Sequence, residues 1–369
     1  MKKFYNRNPQ LISLRKASKA ESGILDVIVG RRRVGKTRLI QEAFSTNENV
    51  YLYLFISRKS EQALVDEFSS IIKSELNAKF FRPASLKDSI EFLFDYSITV
   101  VIDEFQDIAK VNASFYSDLQ NLWDSYKLKS QMHLVVCGSL YNLMTKIFKD
   151  KDEPLFNRQD HYYHVRPLTP SYIKNIMVDQ NNFNPKNYLL WWCLSGGIPK
   201  YLEWIIDAKE DVLNTLISDG SPLIKEGHHR LVEDFGEEHR TYFDILGAIA
   251  SGYNTKPKIV DYLGYQINDA FPKLTDSFEI INKLTSMDAS ANTKTIRYEI
   301  ADPFLRFWFR FIYKNRSAIE IGNYSYIKDI IERDYTTYSG IELEHLLREI
   351  LIESMQFNRI GNFWDRKGH

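Results

Sequence analysis

Residues 26–44 read DVIVGRRRVGKTRLIQEAF. Val27, Ile28 and Val29 form a short apolar run, and Gly30-Arg31-Arg32-Arg33-Val34-Gly35-Lys36-Thr37 follows. After Arg38, Leu39, Ile40, Ala43 and Phe44 recur at helical spacing. A buried strand, a glycine-framed loop and a helix start come in the order that a phosphate-binding loop requires. Gly30 and Gly35 allow close backbone approaches that a side chain would block. Backbone N–H groups along residues 30–38 then turn inward toward phosphate oxygens, helped by the positive end of the helix dipole. Lys36 is placed to reach the β- and γ-phosphates, and the Thr37 hydroxyl to ligate Mg²⁺. A Gly-rich turn beside a basic surface patch is the plainer alternative; the flanking strand and helix weigh against it.

Working outward, residues 50–56 make a second apolar, β-rich run, expected as a strand buried on both faces. Residues 98–102, ITVVI, deliver Asp103 and Glu104 at the tip of a third strand. Asp103 would hold Mg²⁺ and Glu104 would polarise the attacking water, the second half of a P-loop NTPase. A fourth strand, residues 133–137, leaves the sheet through Gly138 and Ser139. Polar residues at the carboxyl ends of strands line the ligand crevice of open α/β sheets, so Ser139 is a γ-phosphate sensor or, equally, the N-cap of the next helix. Arg158 precedes a fifth strand, residues 161–165, and is either a solvated charge or a γ-phosphate-sensing finger. His161 and His164 lack a ligand set and read as strand packing and surface exposure. Strands alternating with helices imply a three-layer α/β sandwich around a parallel five-stranded sheet. After Pro167 and Pro170 the pattern turns helical, broken by Ser195-Gly196-Gly197-Ile198-Pro199, either a connector or a lid over the nucleotide.

The bulk numbers set outer bounds. A chain of 369 residues has room for two or three domains, and 44% hydrophobic with 26% charged residues is ordinary for a folded protein. Lys+Arg and Asp+Glu are both 48, so the chain as a whole has no basic footprint for nucleic acid. Cys137 and Cys193 have no metal-ligand spacing and read as reduced core thiols. The N-terminus has no apolar h-region, and no apolar run approaches a membrane span, so the expectation is a cytoplasmic protein without a membrane partner.

These stretches together resemble the archaeal-type P-loop ATPases, a clade related to the STAND NTPases of the AAA+ superclass. The matches are GRRRVGKT, VVIDEFQD, Cys137-Gly138-Ser139-Leu140, Leu155-Phe156-Asn157-Arg158 and SGGIPKYL, in order over about the first 205 residues. Phe4-Tyr5-Asn6-Arg7 is similar to the family's Phe-x-Gly-Arg opening, with Asn6 for the usual Gly; Asn157 likewise replaces a Gly in a Leu-Tyr-Gly-Arg pattern. The resemblance implies ATP·Mg²⁺ binding, slow hydrolysis and a nucleotide-controlled switch. It also implies that Arg7 belongs to the nucleotide site and that Pro199 with its Gly-Gly neighbours is the lid's nucleotide-contacting sensor.

The expected domains are a P-loop domain over 1–168, a helical lid over 169–235, a winged helix over 236–300 and a partial nuclease-like C-terminal domain over 301–369. In the winged helix, a third helix is expected over about 269–284 and a wing strand over 295–300. Counted over 266–284, Lys273 and Lys283 against Asp269, Asp276 and Glu279 give that helix a net charge of −1. A phosphate-tracking helix should be positive, which favours an intramolecular or protein-contacting role over DNA, with a homo-oligomer or another protein as the possible partner. DNA binding of the origin-recognition type is the alternative function. The C-terminal stretch is similar to the opening of PD-(D/E)xK nucleases through Asp302-Pro303-Phe304, Phe307-Trp308-Phe309, Tyr338-Ser339-Gly340 and Glu344. Leu343, Leu346, Leu347, Ile350 and Leu351 are expected to form one packing face there. The later strands that would complete such a nuclease site are not within residues 301–369.

Overall fold

The computed structural model describes residues 3–44, 51–209, 211–235, 239–267, 269–287 and 296–364. Val50 and Thr295, expected at the starts of two strands, and residues 365–369 lie outside the described residues. The chain divides into two compact units, the first ending at Arg166 and the second running on from Pro167.

In the first unit, α1 (Asn8–Ala17) precedes β1 (Ile24–Val29), α2 (Lys36–Phe44) and β2 (Tyr51–Phe55). Next come α3 (Glu61–Leu76), α4 (Leu86–Leu93), β3 (Thr99–Asp103), α5 (Phe115–Tyr126), β4 (His133–Gly138), α6 (Tyr141–Lys149) and β5 (His161–His164). The strands form one five-stranded sheet in the order β2-β3-β4-β1-β5, every neighbour parallel. The two faces sort by residue parity, because successive side chains on a strand alternate. Leu25, Val27 and Val29 pack with Leu64, Phe68, Ile90, Trp123 and Phe148 of the α3–α6 layer. Ile28, Val101, Val135 and Cys137 pack with Leu11, Leu14, Leu39, Ile40 and Phe44 of α1 and α2. This is the three-layer sandwich expected. One strand differs from expectation: β2 lies at the sheet edge, with Tyr51 and Tyr53 half-buried and Phe55 44% exposed. An apolar run is compatible with an edge position when its aromatic rings carry polar tips to the rim.

The second unit is helical at first: α7 (Pro170–Asp179), α8 (Pro185–Ser195), α9 (Pro199–Asp207), α10 (Val212–Leu216), α11 (Pro222–Phe235), α12 (His239–Ala250) and α13 (Lys256–Leu263). The Gly-Gly break has a packing cause. Gly196 (φ 53) ends α8 in the left-handed region, and a Cβ on Gly197 (φ 78) would sit 2.0 Å from the Leu168 carbonyl oxygen. Pro199 then starts α9 at the first helical position, where its missing N–H costs nothing. The expected third helix over 269–284 is replaced by α14 (Ala270–Pro272), a π turn over Lys273–Ser277 and β6 (Ile281–Leu284). β6 pairs antiparallel with β7 (Arg297–Ile300), Ile281 opposite Ile300. Glu279 sits at φ 50, which ends the helical path, and the β-branched pair Ile280-Ile281 favours the strand that follows. After α15 (Pro303–Phe307) and α16 (Arg316–Glu320) comes the 30-residue α17 (Tyr324–Glu353). Its packing face is also not the one expected. Ile327, Ile331, Tyr338, Glu342 and Leu346 are buried, whereas Leu343, Leu347 and Leu351 are 41–50% exposed. Among the described residues no helix is long and apolar enough to cross a membrane.

Candidate functional site

The register of the sheet decides where the chemistry collects. Val29 is level with Gly138 and Ile28 with Cys137, while Ile102 is level with Val136. The loop leaving β1, the Asp103-Glu104 tip of β3 and Ser139 after β4 therefore share the carboxyl edge of the sheet, with β4 between the other two. That edge is where ligands bind in open parallel sheets.

Gly30 can only be glycine: a Cβ there would stand 2.4 Å from the Val165 carbonyl oxygen. Gly35 adopts φ 96 and Arg33 φ 66, so the chain curls back on itself before α2 begins at Lys36. The curl is held by the Val34 N–H to Arg31 oxygen bond at 3.3 Å and by the Leu39 N–H to Gly35 oxygen bond at 3.0 Å. The Lys36 ammonium, 8% exposed, donates to the carbonyls of Gly30 (2.8 Å) and Arg31 (3.5 Å), inside the loop's own curve. Thr37 and Arg38 lie exposed on the first turn of α2, and Arg38 is 3.5 Å from Glu42. Val34 is fully buried and fastens the loop from below. Arg7 grips it there: its guanidinium donates to the Val34 carbonyl at 3.2 Å and the Arg166 carbonyl at 2.7 Å. Burial pulls the Arg7 guanidinium down to about 10. In this structure Arg7 supports the backbone of the loop.

Asp103 and Glu104 take different surroundings. Asp103 is 7% exposed; its Oδ1 accepts the Glu104 N–H at 2.9 Å and its Oδ2 accepts the Tyr53 hydroxyl. Burial together with Asp103 pushes the Tyr53 hydroxyl well above its usual range. Thr37 stands on the first turn of α2 and Asp103 at the end of β3, and a hydroxyl with a carboxylate is the oxygen set that suits Mg²⁺. Glu104 stands at φ 54, a left-handed backbone rare outside glycine, and such outliers gather at functional sites. Its Oε2 accepts both the Ser139 hydroxyl at 2.8 Å and the Gln106 amide at 2.6 Å. Ser139 makes no capping bond to α6, whose N-cap residue is Leu140, so the carboxylate contact accounts for it. Cys137 is fully buried below this group, and burial raises its thiol.

One expected member falls elsewhere. Arg158 lies just before β5, whose first residue pairs with Asp26 near the start of β1. In a parallel sheet the residue before a strand sits at the amino edge, on the order of 15 Å along the strands from the phosphate loop at about 3.3 Å per residue. Its guanidinium is bidentate to Asp124 (2.9 and 2.8 Å) and donates to the carbonyls of Pro154 and Phe156. The finger reading of Arg158 within its own site is corrected on those grounds. Pro199 belongs to the second unit, where it opens α9.

Three features escaped sequence reasoning. Tyr53 and Gln106 join the carboxylates through strand register and a tight turn, which leave no motif. Asp26, buried on β1, bridges His133 (3.0 Å) and His161 (2.7 Å), so His161, exposed as expected, also has a specific partner. The two asparagines standing where the resembling sequences carry glycine did leave a signal. Asn6 (φ 64) and Asn157 (φ 55) both occupy the left-handed region that asparagine tolerates.

Comparison with known proteins agrees with this fold. A family model described as an ATPase domain predominantly from Archaea matches residues 4–205, and a second, described as archaeal and bacterial proteins of unknown function, matches residues 308–369. The uncharacterised protein MJECL04 of Methanocaldococcus jannaschii is 30% identical over 98% of this chain and 82% of its own length. Among solved structures, the Walker-type ATPase PABY2304 of Pyrococcus abyssi is similar with a TM-score of 0.61 and 21% identity, covering 83% of this chain and 96% of that one. The ORC2 protein of Aeropyrum pernix, solved with ADPNP and ADP, gives 0.52 and 14% over 87% and 96%. At those identities the two structures speak for the fold.

Proposed function

This chain belongs to the family of ATPase domains found predominantly in Archaea, and from that premise we propose that it binds ATP with Mg²⁺, hydrolyses it slowly and uses the nucleotide as a switch. The observation that carries the reading is the meeting of Lys36, Thr37, Asp103, Glu104 and Ser139 at one edge of the sheet. The backbone of the phosphate loop and the Lys36 ammonium bind the triphosphate and orient it along the N-terminus of α2. Thr37 and Asp103 would hold Mg²⁺, which when bound neutralises charge on the β- and γ-phosphate oxygens. Glu104 takes the proton of the attacking water. Its Oε2 is held by Ser139 and Gln106, which leaves the other oxygen for that water. Slow turnover fits a site whose base is tied to two side-chain donors. Lys36→Ala is expected to abolish ATP binding. Glu104→Gln keeps binding and loses at least about 100-fold in phosphate release; normal turnover in that variant removes Glu104 as the base.

A second reading, ATP-dependent DNA binding, draws on α12, α13, α14 and the β6–β7 hairpin, a succession of helices closed by an antiparallel ribbon. A titration with duplex DNA at two salt concentrations decides it, since phosphate contacts make affinity fall steeply with salt. Absent or salt-independent binding ends this reading and leaves a protein partner or a second copy as the target of the switch.

A further inference from the structure

We propose that Tyr53 is a positioning residue of the metal site, setting the Asp103 carboxylate for Mg²⁺ through its hydroxyl. The inference rests on the ATPase reading and adds to it a residue that lies on neither signature stretch. β2 is registered on β3 with Tyr53 opposite Val101 and Phe55 opposite Asp103. Alternation puts Tyr53, Val101 and Asp103 on one face of the sheet, the face covered by α2. The ring of Tyr53 packs along that face, and its hydroxyl reaches two positions up the neighbouring strand to donate to Asp103 Oδ2. One hydroxyl on β2 therefore holds the carboxylate assigned to the metal.

The geometry distinguishes positioning from mere packing. Asp103 is almost wholly buried and its two oxygens have different jobs: Oδ1 is spent on the Glu104 N–H, so the rotation of the carboxylate is fixed only if Oδ2 is held too. Tyr53 supplies that second anchor. A carboxylate held at both oxygens presents a fixed lone-pair direction to a metal and its water shell, and removing such an outer partner costs about 10- to 100-fold in metal affinity. The aromatic ring and the hydroxyl are separable, because phenylalanine keeps the ring contacts along β2 and deletes only the donor.

The test uses the full chain and a fluorescent, non-hydrolysable ATP analogue, titrated with Mg²⁺ after stripping with EDTA. For Tyr53→Phe the Mg²⁺ concentration that half-saturates the metal-dependent tightening is expected to rise by about 10- to 100-fold. Affinity for the analogue in EDTA is expected to stay within about twofold, since the phosphate loop is untouched. In an Asp103→Ala background, adding Tyr53→Phe should shift the midpoint by less than about twofold, because the hydroxyl acts through that carboxylate. A Tyr53→Phe curve that superimposes on wild type, or shifts to lower Mg²⁺, overturns the proposal; so does an undiminished Tyr53→Phe effect without Asp103. A wild-type chain that shows no Mg²⁺-dependent binding of the analogue overturns the ATPase reading itself, a result separate from the behaviour of the variant.

Discussion

At the scale of single residues, the site is a division of labour among side chains of similar chemistry. Asp103 and Glu104 are adjacent acids, yet one is locked into the sheet by Tyr53 and the other is turned out by a left-handed backbone toward Ser139 and Gln106. Arginine shows the same divergence. Arg7 is buried under the phosphate loop, whereas Arg158 closes a bidentate pair with Asp124 at the opposite edge. Arg158→Ala is expected to leave ATP-analogue affinity of the dilute monomer within about twofold and to cost at most about 1 kcal/mol of stability, as solvent-screened pairs do. A tenfold loss of affinity in that titration would return Arg158 to its own site. The phosphate loop and the two acids were readable in the sequence because each needs a run of neighbours: apolar strand, glycines, lysine, then helix. Tyr53 was not readable, since its part is set by which strand lies beside β3, and no stretch of fewer than fifty residues contains both partners.

At the scale of elements, the glycine pair between α8 and α9 is the clearest constraint. The sequence announced a break there; only packing shows that Gly197 touches the Leu168 backbone, with Leu168 N–H donating to the Gly197 carbonyl at 2.8 Å. Gly197→Ala must move backbone as well as accept φ 78, so a loss of at least about 2 kcal/mol is expected in urea unfolding. An unchanged midpoint would show that the two segments part easily. The exchange of the expected third helix for β6 has a comparable origin. Residues 269–284 are apolar at spacings that suit helix or strand, and the choice falls to the pairing of Ile281 with Ile300 across the hairpin, which lies far along the chain. Periodicity overstated α17 for the converse reason. Leu343, Leu347 and Leu351 form a true helical stripe, but Glu342, bonded to Arg306 by both oxygens, turns the other side of the helix inward.

At the scale of the whole molecule, equal numbers of acids and bases hide local surroundings that titrate differently. His345 on α17 is half-enclosed beside Arg306 and Arg348, and burial followed by those two cations pulls its imidazole down to about 3. Its folded value lies below its unfolded one, so the neutral imidazole contributes stability fully above about pH 6.5, and that contribution drains away as the pH falls toward 3. Between pH 7 and pH 5 the residue alone should account for about 2 kcal/mol of lost stability, and His345→Asn should remove that part of the slope in urea unfolding. Parallel pH profiles for wild type and variant would refute it. The fold class of the first unit was legible from alternating strands and helices. The second unit was legible only in outline, because its helices are placed by buried polar contacts such as Arg230 with Asp302 at 2.6 Å, which join residues remote in sequence.

The seat of β4 between β1 and β3 has a consequence for how this protein can be monitored. A triphosphate resting on the loop of one strand and facing the acids of another spans a third between them, so occupancy fastens three strands laid down across more than a hundred residues of chain. Nucleotide should accordingly raise the melting temperature of the first unit in proportion to the logarithm of its concentration. Slackening anywhere along β4, even at a methyl group far from any phosphate, would register first as a weakened grip on ligand.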